Sequence, residues 1–455
     1  MRVLMLFMLL LTGILYIPSS IDGDFYHHLH TGKYILQTHA FPVVDEWTFT
    51  ASGKPWIAYS WLTGVVYELM YTKTGLSGIF VFNSVIGIFI SLGLYLYFKK
   101  NHLTEVHAVL ATILMSAIIS LRFPMRPEVL QYLYIILILL ISKTRFLYVT
   151  PIIILFWTNT YGASVLVGVF LIFFLQRFRL SSFLSLAAAF IHPYTSMSVL
   201  YFFTIAPIRN IQGEWAGLID ILLHAPAQLV TMLRFQILSW LTLTAMVVIA
   251  WWKQKKYTLS FFVFLPLYSF RLLPISALLS VPVLSKYFSA INSKFFIVLT
   301  MFFLILNFLS HSKELPTNTH EQLLVEFIKK YELYGNTFAN QQLAAHLSYE
   351  LFPKSRVYID TRDDLFLKTP ILGEYLSFLN GSTNIITLLS RHDIDVVAVD
   401  FVIDGPIYRP LFYSPQWTPV YLQDRYLIAI RSRAAEEKNI RRISTIDPYD
   451  TIHTP

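Results

Sequence analysis

The 455-residue chain contains no cysteine. That excludes a disulfide framework, a thiolate nucleophile and any cysteine-based zinc site. Charge is scarce too: Asp, Glu, Lys and Arg make up 14% of the residues, where a soluble domain carries about a quarter. Acids are scarcest early on. Before residue 311 they are Asp22, Asp24, Asp45, Glu46, Glu68, Glu105, Glu128, Glu214 and Asp220. No internal repeat or low-complexity stretch is evident, which argues against a transporter built from two related halves. What is plentiful is apolar surface: 55% of residues are hydrophobic, 16% are aromatic, and the mean hydropathy is +0.57. A soluble fold this apolar has nowhere to put its surface, so lipid must serve as much of the solvent. Trp and Tyr suit the membrane boundary. The net charge of +8 would suit nucleic acid in a soluble protein. Here the basic residues stand in short clusters between apolar runs, the positive-inside pattern, and no nucleic-acid partner is expected.

The apolar runs are Leu4–Ile17, Gly78–Phe98, Thr104–Leu121, Val129–Ile141, Phe146–Trp157, Ala163–Leu175, Phe183–Ile191, Ile237–Trp252, Leu259–Phe270, Leu272–Leu284 and Phe295–Leu309. By length they predict roughly eleven spans. The first run also resembles a signal peptide, but no small-residue cleavage site follows it. Lys99-Lys100, Lys143 with Arg145, Arg177 with Arg179, Lys253 with Lys255 and Lys256, and Lys286 with Lys294 mark cytoplasmic ends. The N-terminus is then inside and the C-terminus outside. Pro207, Gly213 and Pro226 interrupt the stretch up to Arg234, which reads as outer loop and interfacial helix.

After His311 the composition changes. Glu321–Tyr334 reads as an amphipathic helix, Arg356–Asp360 and Ile394–Asp400 as short buried strands. Trp417–Leu422 and Tyr426–Arg431 read as a hairpin around Gln423-Asp424-Arg425, with a charged tail beyond. The expected fold is therefore a polytopic α-helical membrane domain, residues 1–310 with a large outer loop at 18–77. A small extracytoplasmic α/β domain follows, residues 311–455.

The outer loop, about sixty residues, is long enough to suggest binding or catalysis. It holds Asp22, Asp24, Asp45 and Glu46, the histidines His27, His28, His30 and His39, and Trp47, Trp56 and Trp61. Asp22-Gly-Asp24 puts two carboxylates on a tight turn, able to hold a divalent cation or act as general base. Acidic loops and interfacial His–aromatic clusters also occur with no such role. The histidine cluster meets no fixed metal-ligand spacing. Arg122, Arg126, His192 and Arg271 lie at outer ends of spans. An arginine there either faces an anionic partner, phosphate being the best match to its fork, or snorkels to the headgroups. In the C-terminal part, Asp360, Arg362, Asp363 and Asp364 read mainly as a local ion pair that docks the domain, with acceptor recognition as the lesser reading.

Several segments form a recurring pattern: Asp24-Phe-Tyr-His-His-Leu-His-Thr-Gly32, Phe-Pro42-Val-Val-Asp45-Glu-Trp, Gly53-Lys-Pro-Trp56 and Trp61-Leu62. Arg126-Pro127-Glu128, Trp157-Thr-Asn159 with Gly162, His192-Pro193-Tyr194, Glu214-Trp215, Arg271 and Val357-Tyr-Ile-Asp360-Thr-Arg362-Asp-Asp364 continue it along nearly the whole chain. The pattern resembles a bacterial membrane-protein family in the GT-C glycosyltransferase superfamily, the broad group that includes protein O-mannosyltransferase-like and Rgt-like enzymes. The chain departs from it at Ser60, where the family carries an acid, at His192 in place of Asn, and at Tyr161 in place of His.

The resemblance implies a GT-C glycosyltransferase in the bacterial cytoplasmic (inner) membrane. It would move a sugar from a polyprenyl-phosphate-linked donor to a lipid, glycan or protein acceptor outside, in cell-envelope glycan assembly. Asp24 falls at the loop's leading acid and is the implied base; Asp45 falls at the second, as partner or metal-facing group, although turn formation explains it equally well. Arg126, His192 and Arg271 are the implied donor-phosphate ligands. A divalent cation, Mg or Mn, would sit at Asp22, Asp24 and His28. The competing reading is a non-enzymatic GT-C relative, or a transporter or flippase of lipid-linked glycans.

Overall fold

The computed structural model describes residues 10–18, 20–142, 144–176, 179–205, 217–220, 227–254, 259–310, 316–367, 369–400, 404, 408–423 and 425–442. The start of the first apolar run, Lys143, Arg177, Pro207, Gly213, Glu214-Trp215, Pro226, Lys255, Lys256, His311, Asp424 and the end of the charged tail lie outside the described residues. The chain forms two compact units: residues 1–20 with 69–316, and residues 21–68 with 317–455. This division differs from the expected boundary at residue 311. Most of the expected outer loop belongs with the C-terminal segment, because the helix Gly23–Thr38 packs on the helix Gln341–Leu351.

The first unit is helical. Among the described residues, four helical stretches are long and apolar enough to cross a membrane: Trp61–Lys100, Arg145–Gln176, Leu233–Lys253 and Ser293–Ser310. Glu105–Ser120 and Val129–Ile141 are shorter apolar helices. The length criterion thus finds fewer crossings than the eleven expected from apolar runs. Thr158–Tyr161, expected as a loop, continues the helix Thr150–Tyr161, which breaks at Tyr161 (φ −153°, ψ 70°). Apolar side chains such as Val81, Phe89, Ile152, Phe174, Trp252 and Phe308 are exposed. In water such a surface would drive association, and in a multi-pass membrane protein it faces lipid.

Small polar residues inside this unit are satisfied locally. Thr112, Ser280 and Thr300 donate to the carbonyls of Ala108, Ser276 and Phe296. Asn307 Nδ2 donates to Ser120 Oγ at 2.7 Å and to Ala117 O at 3.3 Å, tying the helix Ser293–Ser310 to Glu105–Ser120.

The second unit contains a five-stranded sheet of β1 (Gly335–Phe338), β2 (Ser355–Val357), β3 (Val396–Asp400), β4 (Trp417–Gln423) and β5 (Tyr426–Arg431), in the order β2-β1-β3-β5-β4. β1 runs parallel to β2 and β3; β5 is antiparallel to β3 and β4. The expected hairpin is present, with Gln423 opposite Tyr426. The β2 edge is covered by residues 47–49: Val357 N donates to Trp47 O, and Phe49 N donates to Val357 O, both at 3.2 Å. Covering an edge this way satisfies its backbone and blocks further pairing.

Candidate functional site

Asp22 starts the helix Gly23–Thr38. Its extended backbone (φ −119°, ψ 165°) lets the side chain accept from Phe25 N at 3.2 Å. Asp24 therefore stands in the first turn, where the helix dipole favours a negative charge. Its side chain is 23% exposed, and its Oδ1 lies 3.7 Å from His27 Nδ1, one turn on. The buried face of this helix carries Phe25, Tyr26, His27, His28, His30 and Gly32.

Each histidine has its own neighbour. His27 Nδ1 lies 3.1 Å from Thr361 Oγ1, and His28 Nδ1 lies 3.5 Å from Ser60 Oγ. His30 Nδ1 lies 3.1 Å from Ser348 Oγ, and its ring stacks on Trp47 at 4.0 Å. Burial, with Arg362, Lys33 and His27 adding to it, holds the His30 imidazole well below its usual range, so the ring is neutral. Among the described residues no group of three His, Asp or Glu side chains is arranged to hold a metal ion. The expected Asp22, Asp24 and His28 trio is thus not brought together as a ligand set: Asp22 caps the helix and His28 faces Ser60.

Asp45 has a different setting from Asp24. It is 1% exposed. Its Oδ1 accepts from Trp47 N and its Oδ2 from Thr48 N, both at 3.2 Å; Thr48 Oγ1 donates to Oδ2 at 2.6 Å. Arg362 Nη2 reaches Oδ1 at 2.6 Å. The same guanidinium holds Asp360 through Nε at 3.0 Å and Nη2 at 2.7 Å. It also lies 4.3 Å from the Trp47 ring centre and 4.8 Å from that of Trp56. Burial opposes the charge on Arg362, but Asp360 and Asp45 more than offset it, raising the guanidinium's affinity for its proton. The Asp360–Arg362 pair anticipated from sequence therefore extends to Asp45, a link no local spacing signals.

In the first unit, the loop 121–128 and the turn before the helix Leu273–Phe288 gather arginines around Glu128. Arg271 donates to Glu128 Oε2 from Nε at 2.9 Å and Nη2 at 2.5 Å. Arg122 Nε lies 3.9 Å from Oε1. Glu128 is 1% exposed, and burial alone would push its carboxyl up. Arg271, Arg122 and Arg126 together outweigh that and hold it below the usual range, so the local potential is positive. Arg126 and Arg271 are thus brought together as expected partners, with Arg122 and Glu128 added. Their link could have been suspected from the acid two places after Arg126. His192, 7% exposed, is seated in its own turn, where Nδ1 accepts from Tyr194 N at 3.2 Å. Asn159 Nδ2 steadies the preceding residue by donating to Ile191 O at 2.9 Å.

No family model matches the chain, and no curated protein matches it. Among solved structures, it is similar to the archaeal oligosaccharyltransferase AglB from Archaeoglobus fulgidus, determined with an inhibitory peptide and a dolichol-phosphate. The TM-score is 0.53 at 9% identity, over 93% of this chain and 74% of that one. It is also similar to the arabinofuranosyltransferase AftD from Mycobacteria, with a TM-score of 0.48 at 12% identity, over 95% of this chain and 40% of that one. The likeness to AglB shows a GT-C-like fold, as the sequence resemblance implied, without distinguishing a branch.

Proposed function

We propose that this chain is a membrane glycosyltransferase that moves a sugar from a polyprenyl-phosphate-linked donor to an extracytoplasmic acceptor in bacterial cell-envelope glycan assembly. The observation that carries the reading is the arginine cluster at Glu128, whose positive potential survives complete burial of the carboxylate. A polyprenyl phosphate leaving group develops negative charge at its phosphate oxygens, and fixed guanidiniums stabilise it best where water is excluded. The solved AglB structure contains a dolichol-phosphate, a lipid of that chemical class.

In this reading Asp24 is the base. Its carboxylate takes the acceptor's hydroxyl proton as the oxygen attacks the anomeric carbon, the new glycosidic bond forms, and the bond to the phosphate oxygen breaks. Arg126 and Arg271, with Arg122, balance the charge on the departing phosphate, and His192 is a further candidate donor to it. Asp45 acts at a distance, through Arg362, because its oxygens are occupied. Asp22, Asp24 and His28 do not converge on a shared ion, so no step passes through a cation. The reading places the protein in the cytoplasmic membrane with residues 21–68 and the C-terminal unit outside.

The test compares surface glycans and lipid-linked sugars in cells making wild-type protein or Asp24→Asn at equal levels. Loss of the glycan with build-up of the lipid-linked sugar is expected. Unchanged glycans with Asp24→Asn would remove the assignment.

A further inference from the structure

Asp24 lies between two residues that the C-terminal segment grips. On one side, Gly23 N donates to Gln342 Oε1. A Cβ on Gly23 would sit 2.6 Å from Thr361 Cγ2 and 2.9 Å from the Cα of Gln342, so only glycine permits this approach. On the other side, His27 Nδ1 lies 3.1 Å from Thr361 Oγ1 and 3.7 Å from Asp24 Oδ1. Thr361 therefore touches the residue before Asp24 and the side chain one turn after it.

Thr361 is itself held firmly. It sits between Asp360 and Arg362, both 1–2% exposed and joined by four hydrogen bonds, one of them from Arg362 N to Asp360 Oδ1 at 3.0 Å. Gln341, next to Gln342, donates through Nε2 to Asp360 O at 3.1 Å and to Asp363 Oδ1 at 2.5 Å. The helix carrying Gln342 is capped by Asn340, whose Oδ1 accepts from Leu343 N at 2.9 Å. A strand end and a helix start are thus bonded to each other before either meets the loop helix.

We propose that Thr361 is a positioning residue for the Asp24 carboxylate, acting through the His27 ring and assisted by the Gln342 grip on Gly23. The inference rests on Asp24 being the base. A ring held by Thr361 fixes the edge that Asp24 faces, and the Gly23 contact fixes the helix turn from which the carboxylate projects. A general base must lie within hydrogen-bond reach of its proton, and a misplacement of about 1 Å costs on the order of a hundredfold in rate. The C-terminal unit thereby takes part in the reaction without supplying the reacting group.

The experiment uses the full-length chain. Thr361→Val keeps the shape and removes the hydroxyl; Thr361→Ser keeps the hydroxyl. In cells, read by surface glycan and accumulated lipid-linked sugar at matched protein levels, Thr361→Val should lower transfer at least about tenfold, with Thr361→Ser recovering it. In parallel, the purified chain with 15N-labelled histidine, in nanodiscs, reports the His27 ring nitrogens, assigned by their loss in His27→Gln. Thr361→Val should shift them and Thr361→Ser should not. Normal transfer by Thr361→Val beside a dead Asp24→Asn overturns the positioning role alone. Unshifted His27 resonances in Thr361→Val overturn it as well. Normal transfer by Asp24→Asn removes the base assignment, and this proposal with it.

Discussion

Arg362 Nη2 lies 2.6 Å from Asp45 Oδ1, across 317 positions of sequence. With Asp360 on its other side, the guanidinium joins two buried carboxylates between Trp47 and Trp56. The cluster connects the early segment 21–68 to the strand-end region that also holds Thr361. It is therefore both a structural clamp and the support for the residues around Asp24.

Replacing Arg362 by Met should be severely destabilising. The change keeps much of the apolar stem but leaves Asp45 and Asp360 buried with their shared cation gone. Breaking a buried pair from one side costs about 3–5 kcal/mol. Thermal unfolding of the purified protein should show a clearly lowered midpoint, and Arg362→Lys should restore only part of it, since an ammonium lacks the planar fork. A midpoint equal to wild type in Arg362→Met would contradict the clamp.

Gly32 marks the closest crossing in the second unit. A Cβ there would lie 2.1 Å from Gly64 O, and one on Gly64 would lie 2.7 Å from His28 O. Neither neighbour is a movable side chain tip, so the two backbones must part. Gly32→Ala should cost about 1–3 kcal/mol, as overpacking does. Proteolysis of the purified chain should then cut within residues 39–60 sooner than in wild type; equal cleavage rates would argue against the tight crossing.

Arg271→Lys should reduce sugar transfer while leaving the protein folded. The lysine keeps the charge but not the two guanidinium donors that meet Glu128 Oε2. Transfer in cells is expected to fall by about tenfold, in line with losing roughly 1.4 kcal/mol of charge stabilisation. Glu128→Gln, which loosens the same arginine, should act in the same direction. Wild-type transfer in both variants would move the phosphate site elsewhere.

His346 should make folding of the second unit depend on pH. It is 1% exposed, stacks on Tyr26 at 4.0 Å, and neither ring nitrogen has a hydrogen-bond partner among the described residues. Burial chiefly, with Lys329 adding and Glu350 opposing, lowers its pKa to about 4 from 6.5. Between those values the unfolded chain binds the extra proton, so stability is full above about 6.5 and falls as pH drops towards 4. His346→Phe keeps the stack and removes the titration. Denaturant midpoints measured from pH 7 to 4 should fall less steeply for the variant, by up to about 3 kcal/mol over the range. Parallel curves would show that the imidazole is not the titrating group.

Much was legible from sequence because it depends on local pattern. Apolar runs identify membrane helices since the bilayer demands about twenty lipid-compatible residues per crossing. The hairpin at residues 417–431 shows because its alternation and turn are contiguous. Strand β1 and the helix Gln341–Leu351 went unread: Gly335–Phe338 is a four-residue strand whose place comes only from parallel pairing with β2 and β3. Asp24 and Asp45 look alike in sequence, both being acids in one loop rich in aromatics. Their environments separate them: Asp24 keeps partial exposure in a helix's first turn, while Asp45 is enclosed by Arg362, Trp47 and Thr48.

By itself, the order of residues determined that this is a multi-pass membrane protein with a distinct C-terminal α/β segment, because composition and periodicity act over short windows. The resemblance also singled out Asp24 and the arginines. Only the tertiary structure decided that residues 21–68 fold with the C-terminal segment, that Arg362 holds Asp45, and that Thr361 meets the turn carrying Asp24. These depend on buried charges and glycine crossings between segments some three hundred residues apart. Pairing of that kind follows from which surfaces exclude water together, a property of the packed chain that no local spacing encodes.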